Sequence, residues 1–486
     1  MASRSLRVLF CAVSLAALTI SGGPAAALEL QPCRIAGSDN VRTVDAECGR
    51  LEIAENPERL DGRTINLFVA RVPAVAPTPA ADPLVLIQGG PGGSSVELYV
   101  AMRDALERIR STREILLVDQ RGTGQSNPMF CPLPDTEPLD FDPELSARMS
   151  RECLAELDGD PRFYTTSVAV RDLDAVRSAL GYEQLNLYGV SYGSRVALHY
   201  LRRYEDRVRS LIIDGVAPPS WNLGPDVARF GQDALDLMFA RCSASSACAR
   251  RFGDLEAKHA TLARRLAAAP AIVNMAHPVT GEIGELAFAE PHLVLVTRML
   301  SYQRESLALL PLLIDLAYEG NLQPMAAQAQ MVGESLYSSL AMGMHNSVVC
   351  TEDLPFLNTS AFSDLRTTYM GVNQVEVLQA ICREWPAGLI DEGFKQAVTS
   401  AVPTLLLSGE VDPVTPPANA ELAAATLSNQ QHIVAPGQGH GVLARGCIPR
   451  LAAEFVEAAD AAELDASCVE RMGPIPFFQD LTGPLP

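Results

Sequence analysis

Basic residues are scarce in this chain. Its 38 lysines and arginines stand against 58 aspartates and glutamates, which gives a formal charge of −20 at pH 7. A surface with this excess of negative charge repels phosphate backbones and anionic membranes, so nucleic-acid binding is not expected. The same field favours a cationic partner, such as the amino terminus of a peptide, although strong acidity more often serves solubility.

Signatures of metal and nucleotide sites are missing as well. No Cys-x-x-Cys pair occurs in the chain, which argues against a structural zinc site. A glycine-rich segment at residues 89–95 lacks the Gly-Lys-Ser/Thr ending of a phosphate-binding loop. We therefore predict that function needs neither a metal nor an organic cofactor.

Long apolar runs are confined to the amino end. Residues 8–20 form an uncharged, mostly apolar run that follows two arginines and precedes Ala25-Ala26-Ala27. This pattern predicts a signal peptide over residues 1–27, cleaved near Ala27. The run is too short to span a membrane comfortably. We therefore expect a secreted or periplasmic protein without stable membrane association.

Ten cysteines remain once a leader containing Cys11 is removed. An even number in an exported protein indicates disulfides, although sequence alone does not fix their connectivity. Along the chain they form five neighbouring couples, and short loops close at the least entropic cost. The resulting prediction is sequential pairing: Cys33–Cys48, Cys131–Cys153, Cys242–Cys248, Cys350–Cys382 and Cys447–Cys468.

Short apolar runs bounded by Gly, Pro or Asp alternate with segments of helical period. Such runs occur at residues 84–88, 115–118, 185–188, 211–213 and 404–407. They are typical of strands buried on both faces of a sheet. Their alternation with helices predicts an α/β fold, with a mostly parallel sheet between two layers of helices.

The alternation stops between residues 218 and 400, where the pattern is helical throughout. A helical block between two strands of one sheet indicates an insertion that can cover whatever the sheet presents. We predict a core over residues 28–217 and 401–486, interrupted by a helical cap over residues 218–400.

Gly189-Val190-Ser191-Tyr192-Gly193 matches the G-x-S-x-G motif, which alone is a weak signal. Here it directly follows a strand run and opens a helical segment, the strand–turn–helix setting of a nucleophile elbow. Glycines permit the strained turn that exposes the serine, and the helix amino terminus favours developing negative charge. The motif predicts Ser191 as a nucleophile; a simple strand–helix turn is the alternative.

A serine nucleophile needs a histidine base and an acid that orients the base. His440 stands between glycines in a loop after a strand-like run, where it is better placed to reach a partner than to pack. Asp412 heads a proline-fixed turn directly after the strand at 404–407, with Glu410 as its competitor. The order Ser, Asp, His is the one that α/β-hydrolases require, so we predict a Ser191–Asp412–His440 triad.

The glycine-rich segment at residues 89–95 follows the first strongly apolar strand. Glycines there let backbone amides approach a reacting carbonyl oxygen, as an oxyanion hole requires. We predict that this hole is formed by the amides of Gly90 and of Tyr192, the residue after the nucleophile.

Five motifs, in the order GGPGGSS, DQRGTGQS, GVSYGS, GEVDPVTPP and GQGHG, resemble the prolyl-iminopeptidase family of α/β-hydrolases. The likeness is closest to the secreted tripeptidyl-aminopeptidase branch and covers residues 51–440. It implies an eight-stranded hydrolase core, a helical cap after the sixth strand, and cleavage of short peptides from the free amino end. One departure is Gln88, where many relatives have histidine.

The family places acidic residues on the cap to hold the substrate's ammonium group. Cys350-Thr351-Glu352-Asp353 matches the branch's Cys-x-x-acid segment, so the resemblance implies Glu352 and Asp353 as this anchor. Two solvated acids beside a disulfide are the alternative.

These residues together predict an exported serine exopeptidase, a tripeptidyl- or prolyl-type aminopeptidase that acts through an acyl-enzyme. Its expected partners are short peptides with a free amino terminus. A carboxylesterase or lipase on the same scaffold is the first alternative, since a triad does not separate ester from amide cleavage. A non-catalytic binding protein on an inactive hydrolase fold is the second, and the presence of all three triad residues argues against it.

Overall fold

The computed structural model describes residues 28–38, 41–132, 142–357, 362–462 and 464–484. The predicted signal peptide, residues 1–27, lies outside the described residues. In chain order the strands are β1 (Gln31–Ala36), β2 (Thr43–Ala54), β3 (Thr64–Val72), β4 (Leu84–Ile87), β5 (Ile115–Val118), β6 (Leu185–Val190), β7 (Val208–Asp214), β8 (Ala271–Ala276), β9 (Ile283–Phe288), β10 (Thr404–Gly409), β11 (Gln430–Ala435), β12 (Phe478–Asp480) and β13 (Gly483–Pro484).

Helices connect most of these strands. They are α1 (Ser95–Arg110), α2 (Pro143–Glu156), α3 (Thr166–Ala179), α4 (Tyr192–Arg203), α5 (Pro225–Ala244), α6 (Ser246–Phe252), α7 (Leu255–Ala268), α8 (Glu290–Leu300), α9 (Arg304–Tyr318), α10 (Gln323–Ser339), α11 (Met342–Val348), α12 (Asn373–Glu384), α13 (Pro417–Ala424) and α14 (Ile448–Ala458). Across the part of the chain that the structure describes, no helix is both long enough and apolar enough to cross a membrane.

Nine of the described strands form one sheet, in the order β1-β2-β3-β5-β4-β6-β7-β10-β11. The pairs β1–β2, β2–β3 and β3–β5 are antiparallel, and all pairs from β5 to β11 are parallel. Every residue of β4, β5 and β6 is buried, which explains why these strands are continuous apolar runs. The carboxyl ends of the parallel strands meet at one edge of the sheet.

Helices cover both faces of the sheet. On one face α1 and α14 pack through side chains such as Tyr99 and Phe455. On the other face α3 and α4 pack through side chains such as Leu173 and Leu198. This arrangement confirms the predicted α/β class and its mostly parallel sheet.

The sheet has one strand more than the eight expected. β1 extends the amino-terminal edge, where it pairs antiparallel with β2, and the Cys33–Cys48 disulfide joins the two strands. Most side chains of both strands are exposed or half-buried, so neither strand carries the apolar signal of the inner strands. The sequence pattern therefore missed both.

Between β7 and β10 the chain forms helices α5–α12 and the hairpin β8–β9. Apolar side chains of α5–α10 and of the hairpin form a core separate from that of the sheet, whereas Met344 and Val348 of α11 pack into the core of the sheet. The hairpin differs from the purely helical prediction. Its inward residues, such as Val273 and Leu286, join this core, while Ile272 and Ile283 stay exposed, which blurs the alternation of polar and apolar residues. We propose that this insertion, residues 218–400, is a cap.

The structure pairs the ten cysteines in the predicted sequential order. Two of the disulfides lie within the insertion. Cys242–Cys248 joins α5 to α6, and Cys350–Cys382 joins the turn after α11 to α12. The first of these bonds lies in the apolar core of the insertion, where both cysteines are buried.

A carboxyl-terminal tail, residues 473–484, crosses from the core to the insertion. The Phe477 side chain joins the apolar core of the insertion, and the Arg241 guanidinium lies 3.8 Å from the centre of its ring. At the start of the tail, Gln438 Nε2 donates to the Gly473 carbonyl at 3.3 Å. The tail therefore links the loop that carries His440 to the insertion.

Candidate active site

Ser191 lies in the turn between β6 and α4, with φ 58° and ψ −129°. A positive φ is uncommon for a residue with a side chain and marks a strained position. A Cβ on Gly189 would collide with the Gly193 carbonyl, and a Cβ on Gly193 would collide with the Ile87 carbonyl. Only glycine fits either position, so the motif forms a sharp elbow that presents the serine.

Asp412 follows β10, and its carboxylate is fully buried. Oδ1 accepts the amides of Val414 and Thr415, both at 2.9 Å. Oδ2 accepts the Thr415 hydroxyl at 2.9 Å and lies 2.8 Å from His440 Nδ1. Burial raises the pKa of Asp412, but the nearby His440 and the amide donors outweigh burial and keep the pKa below its usual range. The ionised carboxylate can therefore orient the imidazole through Nδ1.

His440 lies on the loop after β11. With Nδ1 bound to Asp412, Nε2 is left as the basic nitrogen. The ring of Tyr302 packs edge-on at 5.2 Å between centroids, and the Tyr302 carbonyl accepts the His440 amide at 2.7 Å. Burial lowers the pKa of His440, but the carboxylates of Asp412 and Asp214 outweigh burial and raise the pKa above 6.5.

The dipeptide Asp214–Gly215, at the end of β7, lies against both the nucleophile and the base. The Asp214 carbonyl accepts the Ser191 amide at 2.9 Å, and a Cβ on Gly215 would lie 3.0 Å from His440 Cε1. Within the described residues no hydrogen bond joins the Ser191 hydroxyl to His440 Nε2. In free enzymes this contact often tightens only when substrate binds. The predicted triad residues therefore meet at the carboxyl ends of neighbouring strands.

The Asp214 side chain is a component of the site that the sequence analysis missed. Its buried carboxylate accepts the amides of Val442 at 2.9 Å and Leu443 at 2.8 Å, and the hydroxyl of Tyr188 at 3.1 Å. These bonds hold the segment directly after His440. The sequence does contain a signal for Asp214, because this aspartate ends an apolar strand at the edge of the sheet where the site lies.

The glycine-rich loop after β4 lies directly against the elbow. A Cβ on Gly89 would lie 2.6 Å from Ser191 Cβ and 3.1 Å from the Tyr192 amide nitrogen. The Gly89 amide donates to Gln88 Oε1 at 2.9 Å, so Gln88 takes part in holding the loop. Among the described hydrogen bonds none comes from the Gly90 amide, which is compatible with its predicted role in an oxyanion hole.

Glu352 and Asp353 are both buried in the turn after α11. Glu352 accepts the Thr166 amide at 2.7 Å and the Thr166 hydroxyl at 2.8 Å. Asp353 lies 3.0 Å from Arg195 and 3.4 Å from Lys395. Protein donors thus occupy both carboxylates. Their burial excludes two solvated acids, and their protein partners disfavour the role of ammonium anchor that the family resemblance implied.

The two acids instead join the insertion to the helix of the nucleophile. Arg195 lies about one turn after Ser191 on α4, and its guanidinium is also 3.7 Å from the Glu352 carboxylate. Burial raises the pKa of Glu352 to about 7, against the lowering effect of Arg195. The pair of acids is therefore a buried counter-ion for the guanidinium.

The competitor for the triad acid has a different partner. Glu410 Oε2 accepts the Gly437 amide at 2.7 Å, so it braces the loop before His440 and does not orient the ring. In the described ranges, no group of three His, Cys, Asp or Glu side chains is arranged to hold a metal ion.

A cavity of about 490 Å³, called the cavity of the insertion below, lies where the insertion meets α2. Residues of α2, α8, α10, α11 and α12 line it. The triad does not line it, but two lining residues border the site. His345 Nδ1 is 3.4 Å from the Pro91 carbonyl in the glycine-rich loop, and an Arg298 nitrogen donates to the Tyr302 hydroxyl at 3.3 Å. The volume suits a small ligand.

Comparisons with known proteins agree with this geometry. Residues 82–276 match the family model of the alpha/beta hydrolase fold, and residues 367–468 match that of TAP-like proteins. Serine protease Hip1 of Mycobacterium tuberculosis is 29% identical over 46% of this chain and 46% of its own. Tripeptidyl aminopeptidase of Streptomyces coelicolor is 29% identical over 38% of this chain and 39% of its own. Carboxylesterase B of Mycobacterium tuberculosis is 27% identical over 44% of this chain and 45% of its own.

The chain thus has the α/β-hydrolase fold, by its sheet order, its nucleophile turn and the family-model match over residues 82–276. Its relatives include serine peptidases, which confirms the resemblance to the prolyl-iminopeptidase family and its tripeptidyl branch. The aligned region spans less than half the length of these curated relatives.

The raised pKa of His440 predicts the acid limb of activity. Since the imidazole must be neutral to accept the serine proton, kcat/KM should fall as pH drops through a value above 6.5. Asp214→Asn should move this limb to lower pH, because it removes one of the two carboxylates that raise the pKa. The pH dependence of kcat/KM for a neutral aryl ester measures both. A limb that stays in place in the variant would contradict the assignment of Asp214.

The ion pairs of Asp353 predict a role in stability. Asp353→Asn should lower the free energy of unfolding by about 3–5 kcal/mol, because Arg195 would be left buried without its closest counter-ion. Urea denaturation measures the loss. The control is Asp364→Asn, since Asp364 pairs with Arg229 at the surface and such pairs contribute at most about 1 kcal/mol. If Asp353 were an ammonium anchor, the variant would keep its stability and lose activity only on free-amine peptides.

Proposed function

We propose that the chain is a serine peptidase that hydrolyses peptide bonds through Ser191, His440 and Asp412. The observation that carries the proposal is the hydrogen-bonded His440–Asp412 pair beside the strained turn at Ser191. Ser191 Oγ attacks the substrate carbonyl while His440 takes its proton, and ionised Asp412 stabilises the imidazolium. The amides of Gly90 and Tyr192 hold the oxyanion. His440 then protonates the leaving amine, and water hydrolyses the acyl-enzyme by the same route.

We also propose that the protein is exported, to the medium or the periplasm. Five disulfides support this location, since such bonds form and persist in oxidising compartments.

The substrate's amino end is proposed to enter the cavity of the insertion and to bind Glu290. Glu290 lines the cavity at the first residue of α8, and the described residues offer its carboxylate no hydrogen bond or ion pair. Burial raises the pKa of Glu290, and an ammonium partner would offset this penalty on the charged form. Glu290 thus takes the role that Glu352 and Asp353 do not fill.

The length of α8 relates this anchor to the triad. Glu290 and Arg298 are eight residues apart on the helix, which is about 12 Å along its axis. Arg298 borders His440 through Tyr302. An extended peptide spans about 3.3–3.6 Å per residue. The separation of Glu290 from the triad is therefore longer than one residue, so an ammonium at Glu290 favours release of a short peptide, such as a tripeptide, over release of single residues.

An esterase remains the second candidate, because a carboxylesterase is among the relatives and the triad suits either bond. An ester substrate has no ammonium group and would not need Glu290. The two functions therefore differ in what Glu290 contributes.

Ser191→Ala tests the catalytic proposal. It should lower kcat/KM by about 10⁴-fold or more, as loss of other triad serines does, while the melting temperature is preserved. A fluorophosphonate probe should label the parent protein and not the variant. A parent that resists the probe would indicate an inactive hydrolase fold, and a variant that keeps a tenth of the activity would exclude Ser191 as the nucleophile.

Glu290→Gln tests the exopeptidase proposal. It should raise KM for free-amine tripeptide reporters roughly 5- to 150-fold, the equivalent of about 1–3 kcal/mol for a lost charged hydrogen bond. Amino-acetylated reporters and a small aryl ester should be hydrolysed as before. The control is Glu319→Gln, an exposed glutamate at the end of α9. Efficient cleavage of esters with no cleavage of any peptide would favour the esterase.

A further inference from the structure

Arg298 is a cation near the triad that no carboxylate of the described residues neutralises. It lies on α8 and lines the cavity of the insertion. Its guanidinium makes one hydrogen bond among these residues, to the Tyr302 hydroxyl at 3.3 Å, and its Nε is buried without a partner. Arg121 and Arg195, which are buried more deeply, both have carboxylate partners. A guanidinium left without one in a chain of charge −20 is therefore a feature to explain.

The position of Arg298 places this charge between the cavity and the base. Its partner Tyr302 packs against the His440 ring. The neighbouring lining residue, His345, adds no second cation, since burial lowers its pKa to about 4 and leaves the ring neutral. Two cations therefore line the cavity, Arg298 and the exposed Arg366, and Arg298 is the one that the structure connects to the triad, through Tyr302.

We propose that Arg298 binds a carboxylate of the substrate next to the scissile bond and so sets a preference for acidic substrates. The inference rests on the proposed function, in which the peptide enters this cavity. A guanidinium is suited to this task because its planar fork binds both oxygens of a carboxylate. The carboxylate can be the side chain of an aspartate or glutamate before the cleaved bond, or the terminal carboxylate of a single leaving residue.

The charge pattern of the cavity supports the same direction of binding. Glu290 and Arg298 lie at opposite ends of α8 and have opposite charge, about 12 Å apart along its axis. A peptide with its ammonium at Glu290 and a carboxylate near the cleaved bond complements both ends. The net charge of −20 would otherwise repel an acidic substrate, so a local cation is what admits one.

Two matched substrate pairs test the proposal. The first pair is Ala-Ala-Asp and Ala-Ala-Asn on the same aryl-amine reporter. The second pair is tetra-alanine with a free carboxyl terminus and with a terminal carboxamide. The parent protein should prefer the carboxylate member of one pair by roughly 10- to 100-fold in kcat/KM, and the responding pair identifies the source of the carboxylate. No preference in either pair would overturn the proposal.

Arg298→Gln should abolish this preference and change kcat/KM for the neutral member by less than about threefold. Arg298→Lys should keep part of the preference, since an ammonium supplies the charge without the fork. The control is Arg264→Gln, which removes the same charge from an exposed position on α7 and should keep the preference in full. An equal loss on both members would overturn the proposal, because it would mean that Arg298 only positions Tyr302.

Two further measurements keep the result independent of folding and of the proposed function. If Arg298→Gln fails to fold, a full preference in a folded Arg298→Lys variant overturns the proposal, and a reduced one supports it. If no peptide is cleaved, the comparison is made with the aryl monoester of a dicarboxylic acid and the matching neutral ester. A preference for the acidic ester that depends on Arg298 would support the carboxylate site while the peptidase proposal fails.

Discussion

The site depends on close packing of backbone against backbone at the start of α4. Gly193 lies against the Ile87 carbonyl of β4, and Gly89 lies against Ser191 itself, at distances that exclude any side chain. These approaches hold Ser191 at its positive φ and bring the Tyr192 amide beside the loop after β4. Because several elements impose the strain, the nucleophile is presented by a rigid part of the molecule. His440 and Asp412 lie on loops that follow neighbouring strands of the same parallel sheet, and these loops place them beside Ser191.

Buried charge connects the insertion to that rigid part. Arg195 on α4 pairs with Asp353 and lies near Glu352, both from the turn after α11. A buried ion pair stabilises the fold little more than apolar packing would. Separating its members is nevertheless strongly destabilising, because each charge is then buried without a partner. These contacts therefore fix the position of the insertion relative to α4, about one helical turn from Ser191. By contrast, Glu290 and Arg298 lack such partners in the described part of the chain, which is why we propose that they bind the substrate.

Local signals explain which parts of this site could be predicted from the sequence. Ser191 and Asp412 directly follow apolar strands, and His440 follows another by a short loop, so the common edge of a parallel sheet brings them together. The edge strand β1 and its neighbour β2 have mostly exposed or half-buried, mixed side chains and gave no such signal. Partners distant along the chain were equally hidden: Arg195 and Asp353 are 158 positions apart, and no periodicity reports that pairing. The match of Glu352 and Asp353 to a family motif could not show that Arg195 of α4 already lies beside both carboxylates.

The tail over residues 473–484 restricts how the insertion can move. It contacts the loop of His440 at one end, through Gln438 and Gly473, and the core of the insertion at the other, through Arg241 and Phe477. Lifting the insertion as a rigid body would pull on this loop and disturb the base. If the insertion had to lift to admit a substrate, the lifted position would therefore displace His440, and binding and catalysis would need different positions of the insertion. For the peptidase that we propose, this constraint would favour substrates short enough to enter while the insertion stays in place.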